Sequence, residues 1–270
     1  MFLLSLERFI DEWEASKKDS ELSQIKDYWE VRADEFNDHD KSNYDDIIPL
    51  FEERGIVKSN YDILDIGCGP GKLSINIAKK VRSITGIDIS EKMVKHAEEN
   101  AEYVNLKNTS FKVASWQEIN LREESFHKKF DVVIASMTPG INSYDTLSKM
   151  LDASKNHCFL SSYVYRKDLR NEIEDHLAEK SKESQKNKIY YVFNILWELG
   201  YFPELLYKDV DVTNVYTYEK AVEIYITEFL AEGYKKKKIE EFLLSKTNDE
   251  GMVVQKYSAK VAWMLWNCKK

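Results

Sequence analysis

A doubly wound α/β fold on a mainly parallel sheet is predicted by three features of this chain. From Asp62 onward, short apolar strands alternate with helical stretches at regular spacing, which is the pattern of a parallel sheet covered on both faces. The first strand, Asp62–Ile66, runs straight into a turn with glycine at alternate positions, Gly67, Gly69 and Gly71. The next strand, Ser83–Asp88, ends in a second acid, where such folds present a carboxylate to a ribose.

The elements follow in order. Residues 1 to about 40 read as two amphipathic helices, one carrying Phe2, Leu6, Phe9, Ile10 and Trp13, the other Ile25, Tyr28, Trp29, Arg32 and Phe36. A helix over Asn43–Arg54 stops at Gly55. Further strands are expected at Thr109–Ala114, Phe130–Ser136 and Cys158–Tyr165, with helices at Lys72–Lys80, Glu91–Asn100 and Tyr144–Lys155 and an irregular piece near 117–124. Ser90 is placed to cap the helix that opens at Glu91. After Tyr165 the rhythm changes. Two helices fill Lys167 to about Leu199, stopped by Gly200 and Pro203. A strand over Leu205–Val215, helices at Tyr218–Ala231 and Lys236–Ser245, and a final strand over Met252–Trp266 complete seven strands. The last pair reads as a hairpin-like antiparallel edge on the parallel sheet.

With 270 residues, 43% of them hydrophobic and 32% charged, the chain carries enough apolar surface for a packed core. Its 39 basic and 47 acidic residues leave a net charge of -8, which argues against a nucleic-acid partner held by phosphate neutralisation. Lys235–Lys238 is the concentrated basic run, a solvated helix start or a contact for an anionic polymer or lipid surface. Cys68, Cys158 and Cys268 are odd in number and widely spread, as in a reducing compartment. The apolar opening Met1–Leu6 breaks at Glu7-Arg8, too short for a signal segment, and no stretch approaches the roughly 20 apolar residues of a membrane span. The expected location is cytoplasmic, with no membrane partner; oligomeric state is not legible. Five scattered histidines, with His157-Cys158 as one adjacent pair, give no metal-ligand spacing.

The glycine turn selects among cofactors. The dinucleotide fingerprint G-x-G-x-x-G needs its third glycine where this chain has Lys72, and no G-x-x-x-x-G-K-[ST] is present. Asp65, two residues before the first glycine, would repel a pyrophosphate and suits a cationic ligand instead. Leu64-Asp65-Ile66-Gly67-Cys68-Gly69-Pro70-Gly71, followed by Gly86-Ile87-Asp88-Ile89-Ser90-Glu91-Lys92-Met93, resembles the paired motifs of class I S-adenosylmethionine-dependent methyltransferases. The resemblance covers about residues 45 to 270 and implies their Rossmann-like fold and S-adenosylmethionine as cofactor.

Carried over by position, the resemblance places Gly67, Cys68, Gly69 and Gly71 beneath the methionine part and ribose, and Asp65 near the cofactor's ammonium. Asp88 would accept both ribose hydroxyls. Ile89 and Met93 would flank the adenine, Met93 being alternatively a helix core residue. Ser115 and Trp116 stand where the family has an adenine-edge contact that is often an acid, and Trp116 reads equally as core. Phe130–Gly140 matches the fourth-strand segment, so Ser136, Met137 and Thr138 would line the transfer site. Met137-Thr138-Pro139-Gly140 departs from the amino-methylating motif of nucleic-acid enzymes. Tyr28–Phe36 resembles an amino-terminal segment of small-molecule methyltransferases that closes over the cofactor. That makes 1–45 a helical lid on a cofactor-binding domain at 46–270, with a helical insert at about 166–203. Trp29 and Arg32 become candidate substrate contacts, Arg32 being alternatively an exposed salt bridge. His39 and Tyr144 are the candidates for a general base, and each has a non-catalytic alternative. Transfer of a methyl group to a small-molecule acceptor by in-line displacement is the activity expected. An RNA or protein methyltransferase, or a non-catalytic cofactor-binding protein, is the alternative.

Overall fold

The computed structural model describes residues 2–16, 21–38, 46–177, 187–231 and 234–269. Two helices, α1 (Phe2–Ala15) and α2 (Leu22–Asp38), precede α3 (Ile47–Glu53). Then come β1 (Asp62–Ile66), α4 (Lys72–Ala78), β2 (Ser83–Asp88), α5 (Glu91–Tyr103), β3 (Thr109–Val113), β4 (Phe130–Ser136) and α6 (Tyr144–Ala153). The chain continues through β5 (Ser154–Lys167), α7 (Leu169–Leu177), α8 (Lys188–Glu198), β6 (Glu204–Thr217), α9 (Tyr218–Ala231), α10 (Lys236–Ser245) and β7 (Met252–Asn267). The seven strands form one sheet in the order β3-β2-β1-β4-β5-β7-β6, with β7 antiparallel, as the alternation and the closing hairpin predict.

The strand order reverses between β1 and β4, whose neighbours run outward in opposite directions. In such sheets the crevice beyond the strand ends at that switch point binds the ligand. Residues 63–66 of β1 are buried, as a central strand covered on both faces requires. Phe51 of α3 meets Phe159 of β5 edge to face with centroids 4.9 Å apart, inside a core shared with Ile63, Ile77, Ile84 and Ile134.

By internal packing the chain divides into two compact units, 1–162 with 188–206 and 263–270, and 163–187 with 207–262. The second unit has its own core, in which Ile173 of α7, Phe229 of α9, Leu243 of α10 and Val253 are buried together.

Several boundaries differ from the sequence reading. The helix expected to reach Lys155 ends at Ala153, and β5 begins at Ser154 rather than Cys158. Ser154 pairs with Phe130 across a register shift, so the ladder with β4 draws polar Lys155 and Asn156 into the strand. Helix α4 stops at Ala78, two residues early, and α3 covers Ile47–Glu53 of the longer helix expected over 43–54, whose first three residues lie outside those described. No helix among the described residues is long and apolar enough to cross a membrane.

Candidate functional site

Beyond the carboxyl ends of β1, β2 and β4 lies an open cleft. Its floor is the turn that follows β1. Gly67, Gly69 and Gly71 all have positive φ, the left-handed region where a side chain is strained, yet they are needed for different reasons. A Cβ on Gly67 would lie 2.0 Å from Thr138 Oγ1, and one on Gly71 would lie 2.9 Å from the Cβ of Ala97. At Gly69 nothing is closer than Met93 Sδ at 3.9 Å, so that position alone is open. The turn is pinned to β2, because the amides of Gly67 and Cys68 both donate to the Ile87 carbonyl, at 2.8 and 3.0 Å.

Asp88, at the end of β2, lines the cleft and is largely buried. Its Oδ2 accepts the Gly69 amide at 2.9 Å and its Oδ1 the Ser90 amide at 3.0 Å. Burial pushes its pKa up, opposed by backbone amide bonds from Ser90, Gly69 and Ile89. A carboxylate offers about four acceptor lone pairs, and the bonds of full hydrogen-bond geometry, from Gly69 and Ser90, take one on each oxygen, so each oxygen keeps a site for one hydroxyl of a vicinal diol. Ser90 is the expected cap, its side chain accepting the Met93 amide at 3.1 Å.

Asp65 stands behind the turn. It is 2% exposed, and its Oδ2 accepts from Ser74 Oγ at 2.5 Å. Burial pushes its pKa up to about 7, with Ser74 pulling the other way and Asp88 adding to the rise. It is absent from the cleft wall, as are Gly71, Ser115, Arg32 and Tyr144. The Ser115 hydroxyl donates to Gln117 Oε1 at 3.0 Å, and Gln117 lines the cleft in its place. Trp116 is both wall and core, buried with Nε1 donating to the Thr146 carbonyl at 3.0 Å. Arg32 is spent within its own helix, on the Tyr28 hydroxyl and on Glu35 at 3.2 Å. Tyr144 opens α6 with its amide on Glu14 Oε1 at 3.3 Å. His39 lies outside the described residues.

The opposite walls come from β4 and α2. Ser136, Met137 and Thr138 line the cleft. Ser136 Oγ pairs with Ser161 Oγ at 3.0 Å, while the Met137 amide donates to Ser161 in a positive-φ conformation. Helix α2 contributes Ile25, Trp29 and Phe36, with Trp29 edge to face on Phe36 at 5.4 Å. It is held over the cleft by polar contacts to α5. Glu30 accepts the Glu91 amide at 2.6 Å and the Lys92 amide at 3.2 Å, a carboxylate on the positive end of a helix. Lys26 pairs with Glu91 at 2.6 Å, and Asp34 with Lys92 at 2.5 Å. Glu30, Ile25, Phe36 and Gln117 were missed by sequence reasoning. The apolar spacing of α2 puts two of them on one apolar face, but nothing local says what that face covers.

Comparison with known proteins adds three kinds of likeness. Residues 57–220 match the family model described as a methyltransferase domain. The chain is 34% identical over 141 residues to a ribosomal protein L11 methyltransferase of Caldicellulosiruptor bescii, covering 50% of this chain and 40% of that protein. It is 39% identical over 80 residues to a ubiquinone/menaquinone biosynthesis C-methyltransferase of Rickettsia massiliae, covering 27% of this chain and 32% of that protein. The chain thus spans less than half the length of these relatives. The fold is similar to magnesium protoporphyrin IX methyltransferase from Synechocystis PCC 6803, solved with bound S-adenosylhomocysteine. That match has TM-score 0.52 and 15% identity, over 89% of this chain and 98% of that one.

Proposed function

Because the chain belongs to the methyltransferase-domain family of class I S-adenosylmethionine-dependent enzymes, we propose that it transfers a methyl group to a small-molecule acceptor by in-line displacement. The observation that carries the acceptor class is the cleft wall. Among the described residues lining it there is no lysine or arginine, and α2 covers it with an apolar face. A polyanion would find no neutralising charge there, whereas a small, partly apolar acceptor suits an enclosed wall. The likeness to a ribosomal protein L11 methyltransferase supports a protein acceptor as the second reading.

The cofactor fits the residues present. Asp88 retains acceptor capacity, Gly69 leaves backbone exposed, and Asp65 offers a negative charge behind the turn. When bound, S-adenosylmethionine supplies an electrophilic methyl group and a good leaving group. The protein's contribution is alignment and exclusion of water. In this reading Asp88 orients the ribose through both carboxylate oxygens, and Gln117, Ile89 and Met93 hold the base. Ile25, Trp29 and Phe36 shut out solvent as the lid, and Ser136–Thr138 face the acceptor.

The test uses methyl-labelled S-adenosylmethionine with a metabolite extract, total RNA and a ribosomal protein fraction in parallel. Label is expected in the metabolites. Label in RNA or protein alone overturns the small-molecule reading.

Asp65 makes a pH prediction whose sign differs between stability and binding. Its folded pKa of about 7 exceeds the ordinary 3.8. The stability this group contributes is therefore complete below the ordinary value and lost as pH rises through about 7. A cationic ligand prefers the ionised form, so cofactor affinity should fall by about tenfold per pH unit below 7. In Asp65→Asn that dependence should flatten while the fold persists, since an amide oxygen still accepts from Ser74. Calorimetric titration from pH 5.5 to 8 checks both arms, and an equally steep profile in Asp65→Asn would remove Asp65 from the account.

A further inference from the structure

We propose that Lys188 is a positioning residue of this site, acting through Thr138 rather than touching cofactor or acceptor; the inference rests on the cofactor reading above. Helix α8 opens with Lys188, whose Nζ donates to the Thr138 carbonyl at 2.6 Å. Thr138 is where the β4 loop meets the glycine turn, for its Oγ1 occupies the space a Cβ on Gly67 would need. The same Oγ1 accepts the Gly140 amide at 3.0 Å. Met137, just before it, has φ 54 and is tied to Ser161 of β5. The loop therefore holds a strained conformation, fastened by β5 on one side and by Lys188 on the other. Helix α8 is itself anchored, with Tyr191 stacked on Trp13 of α1 at 6.2 Å.

The ammonium has no counter-charge among the described residues. Of the charged groups on α1, which packs against α8, Glu7 and Asp11 are exposed to solvent. Arg8 pairs with Glu12 on α1, Glu14 accepts from the Tyr144 amide, and Lys149 pairs with Asp145 on α6. On α8 itself, Glu198 accepts from Ser5. Burial accordingly lowers the Lys188 pKa to about 8. A half-buried ammonium with no counter-charge among the described residues works against folding, and a methionine of similar length would avoid that cost. What the lysine adds is a charge-assisted bond to a carbonyl, and that carbonyl belongs to Thr138, a residue of the cleft wall.

The test is calorimetric titration of the full chain with S-adenosylhomocysteine, alongside thermal unfolding. In Lys188→Met, affinity is expected to fall by roughly tenfold or more with the loss of a charge-assisted bond, and Lys188→Arg to recover it within about threefold. The thermal midpoint of Lys188→Met should not fall in parallel, since removing a charge that burial disfavours offsets the lost bond. A lower midpoint with unchanged affinity overturns the proposal, as does Lys188→Arg binding as weakly as Lys188→Met. Should Lys188→Met not fold, the wild type decides. Trace acetylation of Lys188, read by peptide mass spectrometry, should slow at least about fivefold when S-adenosylhomocysteine is bound and the loop opens less often; equal rates overturn the proposal. Wild-type protein that fails to bind S-adenosylhomocysteine refutes the cofactor reading, and this inference with it, before any variant is compared.

Discussion

Asp88→Ala is expected to weaken S-adenosylmethionine binding by at least roughly a hundredfold, from the loss of two hydrogen bonds to a charged group at about 1.5–3 kcal/mol each. The carboxylate already accepts the Gly69 and Ser90 amides, so the substitution also frees the turn and the first turn of α5. Asp88→Asn separates the two effects. Its one amide oxygen can still accept from the backbone, but it cannot serve both hydroxyls of a ribose. Binding should therefore remain weakened by about tenfold or more, with a smaller loss of stability than in the alanine variant. Calorimetry with near-wild-type affinity in Asp88→Ala would remove the ribose role from this residue.

Gly67→Ala should destabilise the protein by about 2–5 kcal/mol, combining left-handed backbone strain with overpacking. The added Cβ would sit 2.0 Å from Thr138 Oγ1 and 2.6 Å from Thr138 Cβ, so no rotation of the threonine side chain relieves the clash. That is a large share of the roughly 5–15 kcal/mol by which domains are stable. Gly69→Ala is the control. It shares a positive φ but meets only Met93 Sδ at 3.9 Å, so strain alone, about 1–2 kcal/mol, should appear. Denaturant unfolding of both variants measures the difference, and equal losses would show that the Thr138 contact does not decide the need for glycine at 67.

The parts of the site that could be read in the sequence are those with a local signature. The apolar run Asp62–Ile66, the glycines after it and the acid ending Ser83–Asp88 lie in consecutive elements. Their chemistry follows from period-2 patterning and from backbone angles only glycine takes easily. The same locality limits what pattern says about the other site residues. Ser115 and Trp116 are the expected contacts after the third strand, whereas Trp116 and Gln117 line the cleft, because strand end and side-chain direction cannot be timed to one residue from pattern alone. Arg32 carries two readings in the sequence, substrate contact or salt bridge, because Tyr28 and Glu35 are one helical turn away, and in the structure it is paired with both.

The strand-and-glycine motif, the two acids and hence the class of fold and cofactor were thus written in short stretches of chain, where spacing alone constrains the backbone. Tertiary structure decided the rest. It set Asp65 against Ser74 instead of in the cleft wall, laid the apolar face of α2 over the cleft through Glu30 and α5, and brought Lys188 onto Thr138 across 50 residues. Each of these depends on which strands are neighbours and where helices pack against them. Such contacts pair residues far apart in the chain, and no local periodicity encodes their partners.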